Sequence, residues 1–399
     1  MAVKQWVLLD AENYTWTGTV EISGQELGLS GAAAKIHVKK HTLAGGPGAG
    51  VDLVEVSNGA LSFTVIPTRG MGIWRGDYKG IFLGWKSPVR GPVNPAFVEL
   101  NDRGGLGWLA GFDEWMCRCG LDSNGAPGPD VVLDNNGNPT TVQLTLHGKI
   151  ANTPAYYVAV SIDDSPPHEI VVEGRVEETM MFGPHLELVT RYRTRPGANW
   201  IVIEDVVWNR RAVEGELELL YHCNFGAPVL GEGAHLALPI KEMAPRDARA
   251  TEGVDHFNTY LGPTPGYIEQ VYWYVPLADP QTHQTVALLH NAAGDLGCAV
   301  RWDVRQLPYF TQWKNTAAEQ DGYVTGLEPG TNLPNNRKFE REKGRVVRLA
   351  PGQSYCATVR LEIYDSADLV RGVQQEIAKI QSQQAPVLHR EPVPQFSPV

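Results

Sequence analysis

Cysteine is scarce and oddly counted in this chain: five among 399 residues, with no CxxC pair. Neither a disulfide framework nor a zinc knuckle is indicated, since Cys117 and Cys119 stand too close for zinc-type spacing. Basic charge is also short. Lys plus Arg number 34 against 45 Asp plus Glu, a formal net charge of −11, which argues against nucleic acid and anionic membranes as partners and favours a neutral ligand. The N-terminal run Met1 to Asp10 lacks the basic start and small-residue cleavage site of a secretory signal, and no later apolar run reaches membrane-spanning length. The expectation is a cytoplasmic protein. Nor is there a His-x-His pair, the ligand pattern that a cupin-like metal isomerase needs. No solenoid-type repeat and no Ser- or charge-rich linker divides the body.

What is present is a turn-rich globular composition, 43% hydrophobic with 42 Gly and 28 Pro, and a dense run of strand patterns. Residues 1–50 are weakly patterned, ending in the glycine-rich piece Gly45–Gly50, and read as an N-terminal extension packed on the body. From Val51 the β signal sharpens: Val51–Val56 and Ala60–Ile66 flank the turn Ser57-Asn58-Gly59, as in a hairpin. Residues 86–135, rich in Gly, Pro, Asn and aromatics, read as a long ordered loop. From 141 to 222 strand patterns follow one another at short spacing, resuming at 285–304 and 345–364. This is the texture of an antiparallel sandwich, one domain over 51–399. A helix over about 366–381 is predicted from Ser366 as N-cap, with Leu369, Val373, Ile377 and Ile380 on one face. The proline-rich end from Ala385 is expected to be irregular and solvent-facing.

Chemistry concentrates at Val324-Thr-Gly-Leu-Glu328-Pro329-Gly330. A period-two strand stops abruptly at Pro-Gly and leaves Glu328 at its end, the place for a carboxylate at a site's mouth, although a surface glutamate entering a turn has the same pattern. His222 likewise follows the apolar run Leu217–Tyr221, which also suits a hydrogen-bonded histidine at a strand end.

The order of four pieces resembles the galactose mutarotase-like (aldose 1-epimerase) superfamily: Tyr78-Lys-Gly-Ile-Phe-Leu-Gly-Trp, Leu146-His147-Gly148, Tyr221-His222-Cys-Asn224-Phe225 and Leu327-Glu328-Pro329, with Leu349-Ala-Pro-Gly-Gln-Ser-Tyr near the end. Pro67-Thr-Arg-Gly-Met-Gly-Ile, Gly91-Pro-Val-Asn-Pro and Arg118-Cys-Gly-Leu suggest a branch apart from the galactose enzymes. The resemblance implies a mainly β, antiparallel β-supersandwich with a sugar cleft. It also implies cofactor-free, metal-free interconversion of the α and β anomers of an aldose, with Glu328 as base, His222 as acid and His147 holding the ring side of the sugar.

Around these, Arg69 and Arg118 are candidates for binding sugar hydroxyls, because a guanidinium presents fixed donors. Trp115 is a candidate for stacking on the sugar's apolar face. Asn94 falls in the 91–122 segment expected to set substrate choice, and Gln312 and Trp313 fall near the family's pre-catalytic strand. The family's Gly-Arg-x-x-Asn-Arg loop is absent, so substrate identity stays open. A non-catalytic carbohydrate-binding protein, which has no need of the Glu328–His222 pair, and another sugar epimerase or lyase on the same fold are the alternatives.

Overall fold

Alternation along Ile170–Thr179, His185–Thr194 and Trp200–Asn209 buries every second side chain, so each strand has one face that must be covered. The computed structural model, which describes residues 3–398, covers it by packing a ten-stranded sheet on a fourteen-stranded one. The pairings are antiparallel except that Val387–Leu388 joins Ile240–Pro245 in parallel. Between the sheets lies one continuous apolar core, to which Val172, Leu188 and Ile203 contribute from one side and Phe63, Tyr221 and Phe310 from the other. The larger sheet turns its second face toward segments that cross it, and the centre of that face is carried by adjacent strands. In order these are Tyr309–Asn315, Val324–Gly330, Gly215–Phe225 and Met116–Leu121.

The first fifty residues, expected as an extension on the body, supply strands to both sheets. Val3–Asp10 pairs with Tyr157–Asp163, while Val20–Ser23 and His37–Thr42 continue the larger sheet past Asp52–Ser57. Leu8, Ile22 and Val38 are buried, but their runs are too short and too broken by turns for periodicity to show. Helix Ala367–Gln381 begins after Ser366, whose side chain makes no cap bond. Its buried face is Val370, Val373, Ile377 and Ile380, with Leu369 outside. From Ala385 the described end is mostly exposed, as expected, but Phe396 and Ser397 turn inward. Phe396 packs with Trp273 and Leu333, Trp273 Nε1 donates to Ser397 Oγ at 2.9 Å, and Asn335 Nδ2 donates to the Phe396 carbonyl at 2.8 Å. A single aromatic among prolines carries no period, which is why the sequence hides this contact.

Arg118 belongs to the fold rather than to a sugar site. It lies on the core side of the Met116–Leu121 strand and forms a fork to Asp205 of the opposite sheet, Nε to Oδ2 at 2.5 Å and Nη2 to Oδ1 at 2.8 Å. Thr190 and Tyr192 accept from it at 2.7 and 2.9 Å, and Tyr221 donates to Asp205 at 2.7 Å. Removing one partner strands the other charge out of water, at a typical cost of about 3–5 kcal/mol, whereas replacing both by apolar groups is often neutral. Arg118→Met is therefore expected to lower unfolding stability by about that amount in urea titrations, and adding Asp205→Leu is expected to restore most of it. Equal stability of Arg118→Met and wild type would contradict this reading.

Candidate active site

Strand parity decides which side chains meet on the second face of the larger sheet. Along Gly215–Phe225, residues Leu217, Leu219, Tyr221, Cys223 and Phe225 enter the core. Glu218, Leu220, His222 and Asn224 point the other way. On the neighbouring strands the same rule presents Cys117 and Cys119, Gly326 and Glu328, and Thr311 and Trp313, with His222 opposite Cys117 and Glu328 opposite Thr311. His222 Nε2 and Glu328 Oε1 thus come within 3.2 Å, close but outside hydrogen-bond geometry, for Oε1 has no hydrogen-bond partner. The two side chains are only 5% and 2% exposed.

The orientation of His222 is fixed by a neighbour on its own strand. Asn224 Nδ2 donates to the carbonyls of Glu114 and His222 at 3.0 and 3.1 Å, which leaves Asn224 Oδ1 as an acceptor facing His222 Nδ1 at 2.6 Å. The network assigns the proton to Nδ1 and turns the Nε2 lone pair toward Glu328. Gly326 makes the approach possible. A Cβ there would stand 2.4 Å from Glu328 Oε1 and 3.0 Å from His222 Cε1.

His147 sits on a tight turn with φ of 59°, its ring 5.3 Å from that of His222 and its Nδ1 2.9 Å from the Asn124 carbonyl. Gly148 must follow it. Its φ is 72°, and a Cβ would fall 2.0 Å from the Ser123 carbonyl oxygen. Aromatic rings close the group: Trp108 is 4.6 Å from His147 and 6.1 Å from His222, Phe112 is 5.2 Å and Trp313 5.5 Å from His222.

Burial pushes the Glu328 carboxyl well above its usual range, against the pull of a charged His147. It pushes His222 well below, and His147 adds to that. His147 itself resists burial: beside Cys119 it is held up at about 9, while Cys119, against its own burial, is drawn down to about 6 by the Cys117 hydrogen bond and the His147 charge. Cys119 and His147 thus favour each other's charged forms, while next to them burial favours a neutral carboxyl beside a neutral imidazole.

Of the residues singled out from sequence, His222, Glu328 and His147 come together, and the others do not face the pair. Trp115 is 1% exposed, in the inter-sheet core, its ring 6.5 Å from Phe225. Gln312 points to the core and is consumed by bonds to the Phe257 carbonyl and to the hydroxyls of Tyr260 and Tyr274 at 2.9, 2.9 and 2.6 Å. Asn94 caps the turn Pro95–Phe97 and donates to the Ala49 carbonyl at 2.8 Å. Arg69 is fully buried and bound to Glu114, Val93 and Asn152 at 2.7, 3.1 and 2.8 Å. Its link to the pair runs through Glu114, whose carbonyl holds Asn224. Thr311 went unnoticed, and the sequence alone assigns no role to Trp108, Phe112 or Trp313. For Thr311 and Trp313 the available signal was parity, one step from Gln312; for Trp108 and Phe112 it was their place in the long loop.

Residues 48–363 match the family model described as "Domain of unknown function (DUF4432)". The chain belongs to this family. Its fold is galactose mutarotase-like. A crystal structure from Klebsiella pneumoniae, of a protein named as a candidate aldose 1-epimerase, shares 38% identity and a TM-score of 0.92 over 98% of this chain and 99% of that one. A galactose mutarotase-like protein of Clostridium acetobutylicum matches at 14% identity and TM-score 0.57, covering 82% of this chain and 98% of its own. Galactose 1-epimerase of Lactobacillus acidophilus matches at 13% and 0.54, covering 83% and 100%. No curated protein sequence matches. This DUF4432 chain thus carries its histidines and glutamate on a face of a fold shared with sugar epimerases.

Because the Cβ clash at position 326 falls on the end of a flexible side chain, Gly326→Ala is expected to fold while displacing the Glu328 carboxyl from His222. A crystal structure or the His222 ¹⁵N shifts would report the separation. An unchanged 3.2 Å contact would show that the glycine is not what admits it.

Proposed function

We propose that this protein interconverts the anomers of a neutral aldose by general acid–base ring opening at Glu328 and His222. The observation that carries the reading is the buried carboxyl–imidazole contact of 3.2 Å beside His147. Passing the Glu328 proton to His222 Nε2 creates, in one step and with no change in proton count, a carboxylate to take the anomeric hydroxyl proton and an imidazolium to protonate the ring oxygen. The C1–O5 bond then breaks, the aldehyde end rotates, and recloses on its other face while the two protons return. Asn224 keeps Nδ1–H in place through both states, so only Nε2 exchanges protons.

Charge around the site favours a neutral sugar over a phosphorylated or acidic one. Arg69 is ion-paired with Glu114 and Arg118 with Asp205. Arg246 is held by Asp247 and Glu269. His147 is balanced by Cys119. Each of these cations already has an acidic neighbour beside it. The burial of His222 and Glu328 also requires Trp108 or Phe112 to give way before a ring can enter, and either aromatic face then suits the apolar side of a pyranose. The surface groove of about 600 Å³ lined by Pro47, Val93, Phe97 and Ala110 does not include the pair.

Anomer exchange followed by polarimetry or NMR across a panel of neutral aldoses tests the proposal. Glu328→Gln keeps shape and an acceptor but cannot take a proton. It is expected to lose about 10²–10⁴-fold in rate while still binding sugar. Activity needs one proton on the pair. It is lost at low pH when the depressed His222 finally gains a second proton, and at high pH when the raised Glu328 loses the last one. The wild-type profile should therefore be bell-shaped, its acid limb set by the depressed His222 and its alkaline limb by the raised Glu328. Full turnover in Glu328→Gln would mean that the base lies elsewhere.

A further inference from the structure

The three side chains of the proposed site arrive on three separate segments of chain, and one carboxyl group outside the reacting group, pushed up by burial to about 8, touches or reaches all three. Glu218 lies on the His222 strand, four residues earlier and on the same face. It is fully buried, as are Asn124 and Asn332. Its Oε1 accepts from Asn332 Nδ2 at 2.6 Å, and Asn332 lies two residues past the end of the Glu328 strand. Its Oε2 accepts from the Asn124 backbone N–H at 3.0 Å, and the Asn124 carbonyl is the partner of His147 Nδ1. Asn124 Nδ2 closes the triangle on Asn332 Oδ1 at 2.7 Å. Next to this triangle Thr331 reinforces the joint, its N–H donating to the Leu219 carbonyl at 2.8 Å and its hydroxyl accepting from Leu219 N–H at 3.0 Å.

We propose that Glu218 is a positioning residue for this centre: through Asn332 and Asn124 it locks the Glu328 strand and the His147 turn to the His222 strand, and it aims the Asn124 carbonyl so that His147 keeps its proton on Nδ1 and serves the site through Nε2. A buried acceptor with two donors converging on it has one satisfactory arrangement, so all three segments share a single register. Losing it leaves two buried N–H groups without partners and frees the 122–125 segment to shift. A displacement of about 1 Å at a catalytic group can cost on the order of 10²-fold in rate. The proposal takes its catalytic meaning from the anomer reaction above, but its structural core can be tested apart from it.

In wild-type protein, ¹⁵N NMR should show His147 Nδ1 protonated throughout neutral and alkaline pH, with titration confined to Nε2. Loss of the Nδ1 proton within that range would overturn the proposal, whether or not any sugar is turned over. Glu218→Gln sets an amide N–H against one of the two converging donors. We expect kcat to fall about 10- to 100-fold with KM nearly unchanged, and the His147 ring nitrogens to lose their fixed assignment. Should that variant not fold, Asn332→Ala removes the links from Glu218 and from Asn124 Nδ2 to the end of the Glu328 strand while sparing the Asn124 N–H bond to Glu218, and a smaller kcat loss in the same direction is expected. Either variant showing a lower melting temperature with unaltered His147 shifts and unaltered kcat would reduce Glu218 to a core residue. A wild type without anomer exchange, but with His147 fixed as described, would refute the function and leave the positioning role standing.

Discussion

A carboxyl and an imidazole held 3.2 Å apart out of water set the terms for everything around them. Neither can carry its charge cheaply there, so both are driven toward their neutral forms, and a single proton is left to be exchanged between them. Holding that arrangement needs neighbours on all sides. Asn224 spends both its N–H groups on carbonyls so that its oxygen can fix one nitrogen of His222. Gly326 gives up its side chain so that the two groups can meet. Trp108, Phe112 and Trp313 keep solvent away. The sheet supplies the rest, since neighbouring strands in fixed register place His222 and Glu328 without any flexible loop between them.

How much of this was legible in the sequence turns on parity and on segment length. The supersandwich could be read because its strands alternate over ten or so residues and turns separate them cleanly. The pair could be read because each member lies in a strong strand pattern in the order of a known superfamily, although both sit inside their strands, Gly215–Phe225 and Val324–Gly330, and not at the ends. Trp115, Arg118 and Gln312 were placed on the right part of the chain and the wrong side of it. A strand residue one step away faces the opposite surface, and no propensity distinguishes a guanidinium meant for a sugar from one meant for Asp205 across the core. Arg69 and Asn94 failed for a related reason: buried loop residues with polar side chains satisfy their own backbone as readily as they bind a ligand. The C-terminal end and the first fifty residues were hidden because short runs and a lone Phe396 carry no period.

The aromatic cover makes the site unlike an open sugar cleft. Trp108 and Phe112 ride on the segment where the chain departs from the galactose enzymes, and they occupy the space over His222 and His147. Cys119 and His147 form a second acid–base pair in which each favours the other's charged form, so that charge on one is cancelled locally by the other. This keeps the centre neutral overall and consistent with a substrate that carries no charge, within a protein whose net charge of −11 would repel an anion.

The most direct measurement is a crystal structure of the protein with a neutral aldose bound. The account predicts the anomeric hydroxyl within hydrogen-bond distance of Glu328, the ring oxygen at His222 Nε2, and Trp108 or Phe112 moved aside or stacked on the ring. A sugar bound elsewhere, with His222 and Glu328 still in contact beneath an unmoved Trp108 and Phe112, would contradict it.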